Sequence, residues 1–111
     1  MSVTTEATKL LRTIEELCVV TDENIPAKHL QFLLRVFLAG DAGTSHEALQ
    51  AQGFSASVAS RLMQDFTKVR SDKRTPGYDL ISVTLDPTNF RRKIIRINDR
   101  GVKAVTRILS R

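Results

Sequence analysis

The chain has one cysteine, one tyrosine, two histidines, no tryptophan and no long apolar run. Each scarcity removes a class of explanation. A lone Cys18 excludes an intramolecular disulfide and any zinc site assembled from several cysteines. No apolar stretch approaches the roughly 20 residues of a membrane-spanning helix, so no membrane partner is expected. The opening residues, MSVTTEATKLLRT, place Glu6 early and lack the apolar core of a signal peptide, which points to a soluble, cytoplasmic protein. Catalytic signatures are missing as well: no Gly-rich phosphate loop, no HExxH, no cysteine-rich metal pattern and no GxSxG. His46 stands beside Glu47, but neighbours on a helix point apart, and two histidines make no acid–base constellation. The expectation is a non-enzyme, with no cofactor and no metal.

A length of 111 residues fits one domain, 1–111, that buries roughly 65% of its unfolded surface. The hydrophobic fraction of 41% is ordinary for a globular chain. The charge distribution is not ordinary. Residues 1–60 hold four Lys/Arg against seven Asp/Glu, whereas residues 61–111 hold thirteen against five. A net charge of +5 thus arises from a half at +8 and a half at −3. Basic charge gathered in one half is the footprint of a nucleic-acid binder; the alternative is solvated surface charge with no partner.

Apolar residues at three- and four-residue steps, Leu10, Ile14, Leu17 and Cys18 with Leu11 beside them, predict an amphipathic helix over 4–20. Glu6, Lys9, Arg12, Glu15 and Glu16 occupy its other side. Cys18 reads as a small apolar member of the stripe, because no basic residue adjoins it to favour a reactive thiolate. After the turn TDENIP, residues 26–39 carry Leu30, Phe32, Leu33, Leu34, Val36, Phe37 and Leu38 around nearly the whole circumference. This predicts a central helix with Pro26 in its first turn and Gly40 as its stop. His29 lacks neighbours at ligand spacing and is read as a surface or boundary residue.

Thr44 to Glu47 has the form of a capping box and predicts a short helix over 45–52 ending at Gly53. Ser55 can cap a second helix, 56–69. Helix, glycine-containing turn and helix over 44–69 make a helix-turn-helix. In the second helix Ala59, Leu62, Met63 and Phe66 form an inward face, and Ser57, Ser60, Arg61 and Gln64 lie opposite. Arg61 carries donors suited to guanine and Gln64 to adenine; the bland reading is an ordinary amphipathic helix with a solvated side. A polar loop, 70–79, precedes LISVTL and KIIRIN, whose alternation predicts a β-hairpin, the wing, over 80–97. Its turn, DPTNFRR, carries Arg91 and Arg92, and Asp86 is placed to hold one of them in an ion pair that shapes the tip. Asn98 caps a last helix, 99–110, with Val102, Val105, Ile108 and Leu109 on one face.

With these residues in view, the chain resembles the MarR family of winged-helix regulators over about residues 25–105. FSASVASRLMQDFTK, 54–68, follows the family's recognition-helix pattern, and DPTNFRRKIIRINDRGVKA, 86–104, is similar to its wing signature, including Gly101 in the capped helix. Asn89 and Phe90 stand where the family often has Asp and Arg. Loop 70–79 is longer than usual, as in some phage-associated and bacterial members. The chain stops at Arg111, where family members commonly continue into a further helix of the dimer interface.

The resemblance implies a mainly α winged helix-turn-helix with a small β-hairpin, acting on double-stranded DNA as a homodimeric transcriptional regulator, a repressor. The candidate DNA contacts are Ser55, Ser57, Ser60, Arg61, Gln64 and Lys68 on the helix and Arg91, Arg92 and Lys93 on the wing, with Asp86 stabilising the wing. A dimer would rest on Leu10, Leu11, Ile14 and Leu17 with Val105, Ile108 and Leu109. A second reading keeps the fold and changes the partner: an interaction module that binds RNA polymerase or another regulatory protein. Such a module would show an apolar anchor at the wing tip, and Phe90 is the candidate.

Overall fold

Side-chain caps decide where most of the helices begin. In the computed structural model, which describes residues 2–67 and 76–110, the Ser2 hydroxyl accepts the Thr5 N–H and opens α1, Val3–Val20. Ser55 accepts the Val58 N–H and opens α4, Ala56–Phe66. Asn98 accepts the Gly101 N–H at 2.8 Å and opens α5, Asp99–Leu109. Each such cap satisfies an N–H that the helix itself cannot, worth about 1 kcal/mol. The central helix α2, Ala27–Ala39, starts behind Pro26 without a side-chain cap and ends at Gly40, whose φ of 65° closes it into a single 3-10 turn, Gly40–Ala42.

The cap of α3, His46–Ala51, differs from the sequence expectation. Ser45, not Thr44, accepts the Ala48 N–H. Thr44 is held one residue earlier by a β-bridge, exchanging N–H and carbonyl with Ile95 at 2.8 and 2.9 Å. The bridge lies against Gly43, at φ 78°, where a Cβ would sit 2.7 Å from the Ile94 Cγ2 and 2.9 Å from the Ile95 carbonyl. A larger residue would force the bridge apart.

One hydrophobic core joins every helix to the hairpin. Phe32, Leu33 and Val36 of α2, Leu49 of α3, Ala59, Leu62 and Phe66 of α4, Ile95 of the hairpin and Val105 of α5 are all wholly buried. The Phe66 ring stacks on Phe32 at 5.6 Å and tilts against Tyr78 at 5.3 Å. The inward face expected of the second helix, Ala59, Leu62, Met63 and Phe66, is buried throughout. The central helix is less completely enclosed than its composition implies, since Leu38 is largely exposed.

The helix expected over 56–69 ends at Phe66. Its last carbonyls accept from the returning chain: Tyr78 N–H to Asp65 O and Leu80 N–H to Phe66 O, both at 2.9 Å. The Leu80 carbonyl in turn accepts the Asn98 N–H, so one residue ties α4, the hairpin and α5 together. Gly101 packs where any Cβ would run into that same Leu80 carbonyl.

The hairpin pairs β1, Ile81–Asp86, with β2, Asn89–Ile97, in antiparallel register from Ile81 opposite Ile97 to Leu85 opposite Lys93. The next pair is Asp86 opposite Asn89, so Phe90, Arg91 and Arg92 have no partner on β1. Sequence alternation placed these residues in a broad turn over 86–92; instead the turn is the two residues Pro87 and Thr88, and the remainder is a bulge within β2. Among the described residues, no helix is long and apolar enough to cross a membrane.

Candidate nucleic-acid interface

The outer face of α4 is a polar surface on a rigid support. Ser57, Arg61 and Gln64 are exposed and Ser60 is half-buried, opposite the four buried residues of the same helix. The Arg61 guanidinium and the Gln64 amide make no hydrogen bond or ion pair with any described residue, so their donors are available to a ligand. Ser55 is occupied as the cap, and its hydroxyl lies 3.5 Å from that of Ser57. Lys68 lies outside the described residues.

Two contacts that hold α4 in place have no counterpart in the sequence reading. The first is His29 on α2, whose Nε2 lies 3.2 Å from the Asp65 carboxylate, both side chains more than four-fifths buried. The second is Lys28, whose ammonium donates to the Gly53 carbonyl at 3.2 Å and stands 4.8 Å over the Phe54 ring. That contact ties the turn between α3 and α4 to α2. A sequence offers little sign of either, because the partners are 25 and 36 residues apart.

On the wing the cations divide into tethered and free. Arg92 reaches from the bulge to the first turn of α3: Nη2 donates to the Ser45 hydroxyl at 3.3 Å and Nε lies 3.8 Å from Glu47. Arg96 donates to the Asp41 carbonyl and to the Thr84 hydroxyl at 2.9 and 3.0 Å. The side chains of Arg91 and Lys93 are exposed and bond to no described residue. A shallow cleft of about 270 Å³ gathers Arg91, Arg92 and Lys93 against His46 and Glu47.

Asp86 stabilises the tip through Thr88 rather than through a direct ion pair with arginine. Its carboxylate accepts the Thr88 hydroxyl at 2.7 Å and the Thr88 N–H at 2.9 Å. Those bonds, hydroxyl first, hold the Asp86 carboxyl below its usual pKa, and the charge of Arg92 adds to the effect. Glu47 is also lowered, by its own backbone N–H first, then by the Ser45 hydroxyl, with Arg92 contributing. Ser45, only 3% exposed, is thus shared by a helix cap, an arginine and a carboxylate.

The apolar side chains expected at a dimer seam fall into two groups. Leu17, Val105 and Ile108 belong to the chain's own core, while Leu10, Leu11 and Ile14 of α1 are 62%, 58% and 41% exposed and Leu109 of α5 is 49% exposed. Cys18 is half-buried with a free thiol.

No protein-family sequence model matches the chain, and no characterised protein matches it by sequence. Its backbone does match solved structures. Staphylococcus aureus MepR in complex with DNA superposes with a TM-score of 0.72 at 17% identity, covering 96% of this chain and 77% of that one. A MepR variant from a multidrug-resistant S. aureus clinical isolate gives 0.69 at 18% identity, over 96% and 69% of the two chains. MarR gives 0.61 at 20% identity, over 99% and 74%. Among the described residues the fold is the winged helix of MepR and MarR, five α-helices and a two-stranded antiparallel hairpin, as the resemblance in the sequence implied.

Proposed function

We propose that the protein binds double-stranded DNA as a transcriptional regulator, with α4 in the major groove and the wing on the flanking backbone. The observation that carries this reading is the pair Arg61 and Gln64, engaged by no described residue, on the outer face of a helix whose inner face is entirely buried. Bidentate donors on a fixed helix suit base edges. Ser57 and Ser60 beside them are small enough to allow close approach, and Lys68 continues the same helix pattern in sequence. Arg91 and Lys93, free on the wing, supply phosphate contacts. Arg92 serves chiefly as the tether that sets the wing against α3. The structural neighbour MepR was solved in complex with DNA, which supports a DNA partner for a chain of this fold.

The exposed residues Leu10, Leu11, Ile14 and Leu109 support a homodimer formed through α1 and α5, since a second copy would cover an apolar surface left open to water. A dimer of this kind binds an inverted repeat and acts as a repressor by occupying duplex that polymerase would use. Selection of bound duplexes from random DNA is the test: enriched inverted repeats are expected. Absence of any enrichment would favour the other reading, a module that docks on RNA polymerase or another regulatory protein, which the 74% exposure of Phe90 would serve.

A further inference from the structure

The chain has five phenylalanines, and four of them lie in or against the core: Phe32, Phe54 and Phe66 are at most 3% exposed and Phe37 packs beside them. Phe90 is 74% exposed, on the wing. The local backbone holds it there. Phe90 opens the unpaired bulge, and a bulge re-aims the side chains it carries. On one side, Asp86 binds Thr88; next to the ring, the Asn89 side chain accepts the Arg91 N–H at 3.1 Å; on the far side, Arg92 is anchored to α3. The ring is presented by a bracketed loop, so little ordering remains to be done when it meets a partner.

Resting on the DNA-binding reading above, we propose that Phe90 is a wedge that enters the minor groove beside the recognition site and partly unstacks one base step. Three features select duplex DNA over a protein pocket as its partner. Arg91 and Lys93 follow Phe90 on the same strand, and their charges have no acidic partner among the described residues and suit the phosphates that border a groove. The hairpin itself carries Arg91, Arg92, Lys93 and Arg96 against one carboxylate, Asp86. The tip is a two-residue turn, a narrow ribbon suited to a groove about 6 Å wide. An apolar side chain driven between base pairs kinks the duplex toward the major groove. Steps that unstack readily, TA and CA/TG, would therefore be preferred at that position with no hydrogen bond to a base edge.

The test uses a duplex recovered by the wild-type protein from random-sequence DNA, with 2-aminopurine placed in turn at each flanking adenine. Wild-type binding is expected to raise the fluorescence at one flanking step. Phe90→Ala should abolish that rise and weaken binding about tenfold, whereas Phe90→Leu, another wedge-forming residue, should keep part of both. The salt dependence of Phe90→Ala should equal that of wild type, because no ion pair is lost; unchanged thermal unfolding checks that the exposed site has not disturbed the fold. A wild-type complex that forms without any fluorescence rise, together with undiminished binding by Phe90→Ala, would overturn the wedge and leave the DNA-binding reading standing. Failure of the wild-type protein to bind any duplex would overturn both. If Phe90→Ala kept its DNA affinity and fluorescence signal but lost binding to purified RNA polymerase, the ring would be a protein anchor and the wedge would fall.

Discussion

Helix α4 and the wing both present basic and polar side chains, but they do so by opposite means. On α4 the scaffold and the outward polar groups occupy different faces, so Arg61 and Gln64 are engaged by no described residue. On the wing the two tasks share one strand: Arg92 and Arg96 hold the hairpin to α3, Asp41 and β1, while Arg91 and Lys93 are left over. Counting exposed cations therefore overstates what a β-ribbon offers to a ligand. A helix forms its backbone hydrogen bonds internally and needs only one buried face. A two-stranded hairpin has little core of its own and must be fastened by side chains.

The sharpest way to break this contrast is to remove the support of α4. Phe66→Ala, which empties a wholly buried site against Phe32, should cost about 3–5 kcal/mol in denaturant unfolding. A loss below 1 kcal/mol would mean that the helix does not depend on that packing. Next in size, Arg61→Ala should lose about 1–3 kcal/mol at one base position of the selected site, read from binding to single-position variants. An equal loss for every sequence would make Arg61 a phosphate contact instead.

The wing gives a paired comparison. Arg91→Ala should lower the slope of log affinity against log salt by about one, and Arg92→Ala by clearly less. Equal slopes would show that Arg92 leaves Ser45 and Glu47 when DNA binds. The smallest effect concerns pH. Asp86 is held below its ordinary value of 3.8, so its contribution to stability is present above that value and lost as pH falls through the lower folded one. Acid unfolding of Asp86→Asn, followed by circular dichroism, should show a shallower fall over that range than wild type. An identical profile would mean that the Thr88 bonds do not couple to folding.

The helices were readable because their information is local. Ser55 and Asn98 cap where expected, and the inward set of α4 falls on the apolar period; on α5 Val105 and Ile108 do so, while Val102 and Leu109 stay exposed. The cap lies one residue beyond the box at Thr44, since Thr44 and Ser45 both carry hydroxyls and only the bridge to Ile95 decides between them. Period-two alternation placed the strands but could not reveal a bulge, because a three-residue register shift leaves no mark on the pattern of one strand taken alone. The apolar stripe of α1 was visible, yet its division into buried Leu17 and exposed Leu10, Leu11 and Ile14 depends on which side of the helix the rest of the fold covers.

The sequence by itself determined the helix-turn-helix, the hairpin, the basic half and the face that α4 turns outward, all consequences of spacing within a few turns or strand residues. Only the tertiary structure decided which cations are free, that Asp86 holds Thr88 rather than an arginine, that His29 meets Asp65, and that Phe90 stands clear on a bulge. The His29 contact and the arginine tethers depend on chain segments up to 55 residues apart arriving side by side, which no local period encodes.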